Sequence, residues 1–203
     1  MSATGDRARR RAFWDRVAPR YERFTGWSGW TRVVEAVAEG ATGRVLDAGC
    51  GPGRLVDRLA VAGAWAVGVD SAPGMLREAR RLGRAGTFVL AEVTTLPFRD
   101  AAFDVVLSTG TLGLLRGRAQ QVALGELARV CRGEVRLLEP VEGPGRGLLA
   151  RLGEWIFDGQ HPIPTSAFDA LGVAPSIGRR THLGVFAAIR FRPGVGGHPA
   201  PLA

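Results

Sequence analysis

Glycine occupies every second position of Gly49-Cys50-Gly51-Pro52-Gly53, directly behind the apolar run Val45-Leu46 and the acidic Asp47. Alternate glycines carry no Cβ where the chain leaves a strand and turns sharply, so a nucleoside-bearing ligand can lie against bare backbone. A second apolar run, Ala66-Val67-Gly68-Val69, ends in Asp70. That is about twenty residues on, the separation at which one βαβ unit delivers a carboxylate to a ribose. The spacing also narrows the ligand. A dinucleotide fingerprint, G-x-G-x-x-G, needs its third glycine where Arg54 stands, and a phosphate loop needs a lysine, of which the chain has none. Both phosphate readings weaken together, and a dinucleotide or plain nucleotide binder stays open as one reading.

Two further segments add to the loop. Glu92-Val93-Thr94-Thr95-Leu96-Pro97-Phe98-Arg99-Asp100-Ala101-Ala102-Phe103-Asp104-Val105-Val106 follows an acid-x-x-x-Leu-Pro-Phe-x-Asp-x-x-Phe-Asp-x-Val pattern, and Glu126-Leu127-Ala128-Arg129-Val130 precedes a strand-like run. With Gly68-Val69-Asp70-Ser71 and Met75-Leu76, these segments resemble the class I S-adenosylmethionine-dependent methyltransferases, in the branch containing the ubiquinone/menaquinone and many small-molecule methyltransferases. The resemblance covers roughly residues 44 to 140. It implies S-adenosyl-L-methionine as cofactor and a three-layer, Rossmann-like α/β sandwich, its mostly parallel seven-stranded sheet ending in an antiparallel hairpin.

The resemblance also implies roles. Asp47 would orient the methionine amine, while Gly49, Gly51 and Gly53 admit the cofactor to the backbone. Asp70 would accept from the ribose hydroxyls, with Ser71 or Met75 flanking the adenine. Glu92 would accept from the adenine amine, with the Val93 backbone at the ring edge, and Ser108, Thr109 and Gly110 would close the site. Tyr21 would stand near the methionine end, with Trp27 and Trp30 in the acceptor pocket or its cover. For a general base the candidates are Glu139, at the end of a strand, and His161, in a loop where it can equally be solvated. Two departures from the family pattern stand out. The chain runs Cys131-Arg132-Gly133-Glu134 where relatives have Leu-x-Pro-Gly-Gly, and the 108–115 loop lacks the histidine many of them carry.

The elements that must hold these residues alternate. Strands are expected at Arg44 to Gly49, Trp65 to Asp70, Thr87 to Val93, Asp104 to Thr109 and Glu134 to Glu139, with helices at Arg54 to Gly63, Gly74 to Leu82 and Ala119 to Cys131. Such alternation means a parallel sheet with helices on both faces. A helix near Gly147 to Phe157 and a short one near Ser166 to Leu171 follow, then a hairpin from Ala174 to Thr181 and Val185 to Phe191. Phe13, Trp14, Val17, Tyr21 and Phe24 recur at helical spacing, either packing on the sheet or covering the substrate, and Val33, Val34 and Val37 begin a second helix. Three parts result: a helical cap at 1–40, a methyltransferase core at 41–192 and a flexible tail at 193–203.

Composition bounds the partners. At 203 residues and 46% hydrophobic, the chain suits one domain with a full core. No apolar run reaches membrane-spanning length, and the expectation is a cytoplasmic protein. Cys50 and Cys131 lack disulfide-framework or metal-ligand spacing. All 27 basic residues behind the net charge of +8 are arginines, which suggests coding bias. Only Arg7, Arg9, Arg10 and Arg11 cluster, as a solvated segment or as an arm for nucleic acid or an anionic membrane surface. No Asn/Asp-Pro-Pro-Tyr segment follows strand four, which disfavours nucleic-acid bases as substrates. A small hydrophobic or aromatic acceptor is expected. A lipid-like acceptor met at a membrane periphery, or a cofactor-binding subunit without turnover, are the alternatives. The oligomeric state is not legible.

Overall fold

The computed structural model describes residues 3–27, 29–142, 160–181 and 185–194. Seven strands form one sheet: β1 (Arg44–Ala48), β2 (Trp65–Asp70), β3 (Thr87–Leu90), β4 (Phe103–Thr109), β5 (Cys131–Pro140), β6 (Ser176–Thr181) and β7 (Phe186–Phe191). Their order is β3-β2-β1-β4-β5-β7-β6; β1 to β5 pair in parallel, and β7 runs antiparallel to both β5 and β6. The expected α/β architecture is therefore present, with its reversed strand at the carboxyl-terminal edge. Between β1 and β4 the strand order reverses, the place where open α/β sheets leave a crevice at their carboxyl ends.

The helices are α1 (Ala3–Trp27), α2 (Trp30–Val37), α3 (Arg54–Val61), α4 (Pro73–Arg81) and α5 (Arg118–Val130), with a one-turn helix at Ser166–Asp169. None among the described residues is long and apolar enough to cross a membrane. Central strands covered on both faces read as continuous apolar runs, and Val45, Leu46, Ala48, Val67 and Val69 are all buried. Strand alternation divides them. Leu46 and Ala48 pack with Val106, Leu124 and Leu127 on the α5 side, whereas Val45 packs with Val56, Leu59 and Val105 on the α3 side.

Several boundaries differ from the sequence expectation for physical reasons. Strand β3 stops at Leu90, so Glu92 and Val93 belong to the loop that follows. Strand β5 begins at Cys131, directly behind α5, with no turn between them. The register between β4 and β5 shifts at Phe103/Val105 to absorb the shortcut, and a Cβ on Gly133 would lie 2.2 Å from the Asp104 carbonyl oxygen. A 3-10 turn at Leu112–Leu114 was not legible in the sequence. The helix expected near 147–157 lies outside the described residues, as do His182, His198 and most of the 193–203 tail.

The Leu-Pro-Phe segment has a structural cause. Arg129 on α5 donates to the Leu96 carbonyl at 3.1 Å and the Phe98 carbonyl at 2.8 Å, and pairs with Asp100 at 2.8 Å and Glu126 at 2.6 Å. Glu126 in turn accepts from the Leu96 amide at 2.7 Å. One guanidinium thus pins the β3–β4 loop onto α5, and Glu126 is held below the usual carboxylate range chiefly by its hydrogen bonds to Arg129. Replacing Arg129 by alanine removes the donor to both carbonyls and the cation beside both acids. Urea unfolding is expected to show a loss of about 2–3 kcal/mol, the scale of charged hydrogen bonds at a mostly covered site. A loss below 0.5 kcal/mol would show the clamp to be ornamental.

Candidate functional site

A cavity of about 560 Å³ opens at the carboxyl ends of β1 and β4, where the strand order reverses. Its floor is the loop behind β1. Gly49 and Cys50 donate their amides to the Val69 carbonyl at 2.7 and 2.9 Å, which folds the loop back over β2. Gly51 donates to Asp70 Oδ2 at 2.9 Å, and Ala72 donates to Asp70 Oδ1 at 2.8 Å. One carboxylate therefore joins the turn after β1 to the turn after β2.

The alternate glycines divide the work. Gly49 has φ +85°, and a Cβ there would lie 1.9 Å from Thr111 Oγ1, so this position admits the chain beyond β4. Gly53, at φ +77°, caps α3, and a Cβ would lie 2.4 Å from the Phe88 ring. A Cβ on Gly51 would meet Tyr21 Cε1 at 3.8 Å and Met75 Sδ at 3.9 Å, ordinary contact distances. Gly49 and Gly51 line that cavity together with Tyr21, Asp70, Ser71, Met75, Glu92 and Val93. With Thr109 and Gly110, ten site residues named from sequence thus meet in one space, while Gly53 serves α3 and the packing beneath it.

Asp47 is buried beside this cavity. It lines a smaller space of about 50 Å³ that shares Tyr21, Gly49 and Thr109 with the large one, and its Oδ1 has no hydrogen-bond partner. Burial, and then the charge of Asp70, raise its pKa to about 7. Burial also raises Asp70, against the pull of the Ala72 and Gly51 amides. Tyr21 is pushed to about 12 by burial and by both aspartates, so its hydroxyl stays protonated at neutral pH. Two carboxylates and a phenol in low dielectric form an electronegative pocket suited to a cation.

Helix α1 closes the cavity from above. Asp15 accepts from the Gly74 amide at the start of α4, where a Cβ on Gly74 would lie 2.7 Å from the Asp15 Cα. Ala18, Ala72 and Met75 are buried together, with Trp14 and Tyr21 packed against them. Glu22 pairs with Arg54 at 3.2 Å and with Arg84, extending the seam to α3. Among the described residues the tryptophan lining the large cavity is Trp14; Trp30 lines the smaller space, stands over Gly110 and meets Phe186 at 4.8 Å. The Trp27 side chain lies outside the described residues.

Glu139 and Ser108 take a different place from the one expected. Glu139 is fully buried and does not line the cavity. Its Oε1 accepts from the Thr111 and Leu112 amides at 2.8 and 3.0 Å and from Ser108 Oγ at 3.3 Å, and its Oε2 accepts from the Gly113 amide at 3.0 Å. A carboxylate so surrounded positions the loop after β4 and has no access to an acceptor proton. Its pKa rises to about 7 through burial, opposed by these four donors. His161 is likewise not among the lining residues; its amide donates to the Gly113 carbonyl, and its own carbonyl accepts from Gln120 at 3.0 Å. Trp14, expected either to pack on the sheet or to cover the substrate, lines the cavity, as do residues given no place in the site from sequence: Arg10, Arg11, Leu114, Leu115, Arg116 and Arg118. Extending the phase of Tyr21 back along α1, through Ala18 and Trp14 to Arg10, would have found the first of them.

Residues 45–134 match the methyltransferase domain family model. The chain belongs to the class I S-adenosylmethionine-dependent methyltransferases. Among curated relatives of this methyltransferase chain, a demethylmenaquinone methyltransferase from Roseiflexus castenholzii is 36% identical over 154 residues, covering 72% of this chain and 62% of the relative. A malonyl-[acyl-carrier protein] O-methyltransferase from Erwinia pyrifoliae is 35% identical over 114 residues, covering 55% and 43%. The chain therefore spans less than two thirds of these relatives' length. Magnesium protoporphyrin IX methyltransferase from Synechocystis, solved with bound SAH, superposes at a TM-score of 0.71 with 21% identity, covering 92% of this chain and 98% of that one. At that identity the likeness is one of fold.

The anchoring reading of Glu139 is testable. Glutamine at this position turns an NH2 group toward backbone amides in either orientation, leaving at least one buried N–H unpaired. Glu139→Gln is expected to cost about 1–3 kcal/mol in urea unfolding. Unchanged stability combined with lost activity would instead restore it as a proton acceptor.

Proposed function

We propose that this chain binds S-adenosyl-L-methionine and transfers its methyl group to a small hydrophobic or aromatic acceptor in the 560 Å³ cavity. One observation carries the reading: Asp47 presents a buried, unpartnered carboxylate oxygen at the end of β1, beside Asp70 and Tyr21. A methionine ammonium meets that need, and the small space beside Asp47 is of a size for such a group. The remaining lone pairs of Asp70 face the cavity and can accept from ribose hydroxyls while its two amide contacts hold the loop. Met75 and Ser71 flank the adenine position, with Glu92 and Val93 at its edge. Ser108 belongs to Glu139 and takes no part.

Bound in this way, the cofactor supplies a methyl on a sulfonium, an electrophile that needs only an aligned nucleophile. The protein's share is alignment and exclusion of water. Trp14 and Tyr21 cover the cavity from α1, and proximity of this kind contributes on the order of 7–11 kcal/mol in favourable cases. The apolar residues Leu114, Leu115 and Val122 line the remaining wall and suit an apolar acceptor. A lipid-like acceptor such as a quinone precursor is the second reading, supported by the 36% identity to a demethylmenaquinone methyltransferase.

The pH dependence of binding tests the role of Asp47. With its pKa raised to about 7 in the free protein, the neutral acid predominates below that pH, whereas an ammonium requires the carboxylate. Affinity for S-adenosylmethionine should therefore rise with pH, being roughly tenfold weaker at pH 6 than on a plateau above pH 8, with a proton released on binding at the acid end. Asp70, Tyr21 and Cys50 face the same space, so calorimetry of Asp47→Asn must flatten the profile for the assignment to hold. Asp70→Ala should abolish measurable binding. Protein that ignores this compound yet retains NADH or ATP would overturn the whole reading.

A further inference from the structure

The charges lining the cavity are segregated. Its two acids, Asp70 and Glu92, lie together: the charge of Glu92 is felt at Asp70, and both accompany Gly49, Gly51, Ser71 and Met75. Among the described residues its cations are Arg10 and Arg11 from α1, Arg116 just before α5 and Arg118 at its start. These come together around the 3-10 turn after β4, because Arg10 Nη1 donates to the Leu114 carbonyl at 2.6 Å and Leu114 itself lines the cavity. The first turn of α5 faces the same space through Ala119 and Val122, and no side chain caps it at Gly117. A helix amino terminus adds positive potential to that of the guanidinium groups. Between the arginines stand Trp14, Leu114, Leu115 and Val122, an apolar wall with cations along its edge.

Among the described residues no histidine or cysteine lines the cavity, and the lining carboxylates, Asp70 and Glu92, belong to the opposite end. A neutral alcohol entering at the cationic end would meet the guanidinium groups of Arg10, Arg11 and Arg116 and, among the described residues, no proton acceptor. An organic anion would find its counter-ions and would need no deprotonation at the charged group. Resting on the methyltransferase reading above, we infer that the acceptor is an amphipathic organic anion. Its apolar body lies on Trp14, Leu114, Leu115 and Val122, and its carboxylate or phosphate is held by Arg10, Arg11 and Arg116. Planar guanidinium groups bind both oxyanions in bidentate fashion, so the shared chemistry is the oxyanion. The arginine cluster of α1 is thereby a substrate contact, beyond the solvated arm or polymer-binding arm its composition suggests.

Three probes with one ring system test this by calorimetry on the full chain saturated with S-adenosylhomocysteine: 2-naphthoate, 2-naphthyl phosphate and the neutral 2-naphthamide. At least one anion should bind about tenfold or more tightly than the amide, with the order of the two anions identifying the preferred head group. The double variant Arg10→Gln/Arg116→Gln should bring the anions down to the level of the amide. Arg80→Gln, an exposed arginine on α4 away from the cavity, should change nothing and so controls for the overall positive charge. Circular dichroism and the affinity for S-adenosylhomocysteine verify that the double variant is folded. The proposal is overturned if the amide binds as well as both anions, if none of the three binds, or if the double variant keeps anion affinity within threefold. Should S-adenosylhomocysteine itself fail to bind, the methyltransferase reading falls first. The same titrations on the free protein then still decide the fate of the oxyanion site.

Discussion

The bend behind β1 depends on one carboxylate. Asp70 takes an amide from each of two turns, Gly51 on one side and Ala72 on the other, and so locks the ends of neighbouring strands together. Without it the glycine loop would have nothing to fold against beyond the two amides it gives to Val69. A buried acid is costly unless its oxygens are met by donors, and backbone amides are the cheapest donors at a strand end. The loop is therefore shaped by a group that also faces the cavity. On the proposed reading, architecture and ligand recognition share one residue.

Three acids stand at strand ends along this edge of the sheet, and their hydrogen bonds separate their roles. Glu139, at the end of β5, is saturated by three amides and a hydroxyl, and spends itself on the turn after β4. Asp70 is half spent. Asp47 has an oxygen with no partner, although it is as deeply buried as the others. An unmet buried carboxylate persists in a fold when something outside the chain satisfies it, so the count of donors points to Asp47 as the residue awaiting a cation. By the same count Glu139 is the least available of the three, despite its position at a strand end on the acceptor side.

Which parts of this were legible in the sequence follows from the range of the interactions involved. The glycine spacing, Asp70, the family-like segments and the strand–helix alternation are local or βαβ-scale patterns, and ten of the residues they single out line one cavity. The saturation of Glu139 depends on amides 26 to 28 positions away, in a 3-10 turn that has no periodicity to announce it. Arg10 and Arg11 were hidden for another reason. In a chain whose every cation is arginine, residue type carries no signal, and only the helical phase linking Arg10, Trp14, Ala18 and Tyr21 could distinguish a lining arginine from a solvated one. The abrupt passage from α5 into β5 was visible as a missing Pro-Gly pair, but its remedy, a bulge opposite Asp104, required the paired strand.

On the proposed reading, the segregation of charge in the cavity bears on the reaction itself. A sulfonium at the acidic end and an anion at the basic end are opposite charges that move toward neutrality as the methyl passes between them. Where the transferred methyl bonds to the anionic atom, the transition state is less charged than the reactants, so a poorly solvating cavity favours it over the separated ions. The protein must then hold each charge firmly enough to bind it, yet not so firmly that binding outweighs that gain. Arginines at a partly open edge, screened by solvent, meet this condition better than a buried ion pair would. Deep burial is reserved for Asp47 and Asp70, whose partners on this reading, the ammonium and the ribose, keep their charge state throughout the transfer.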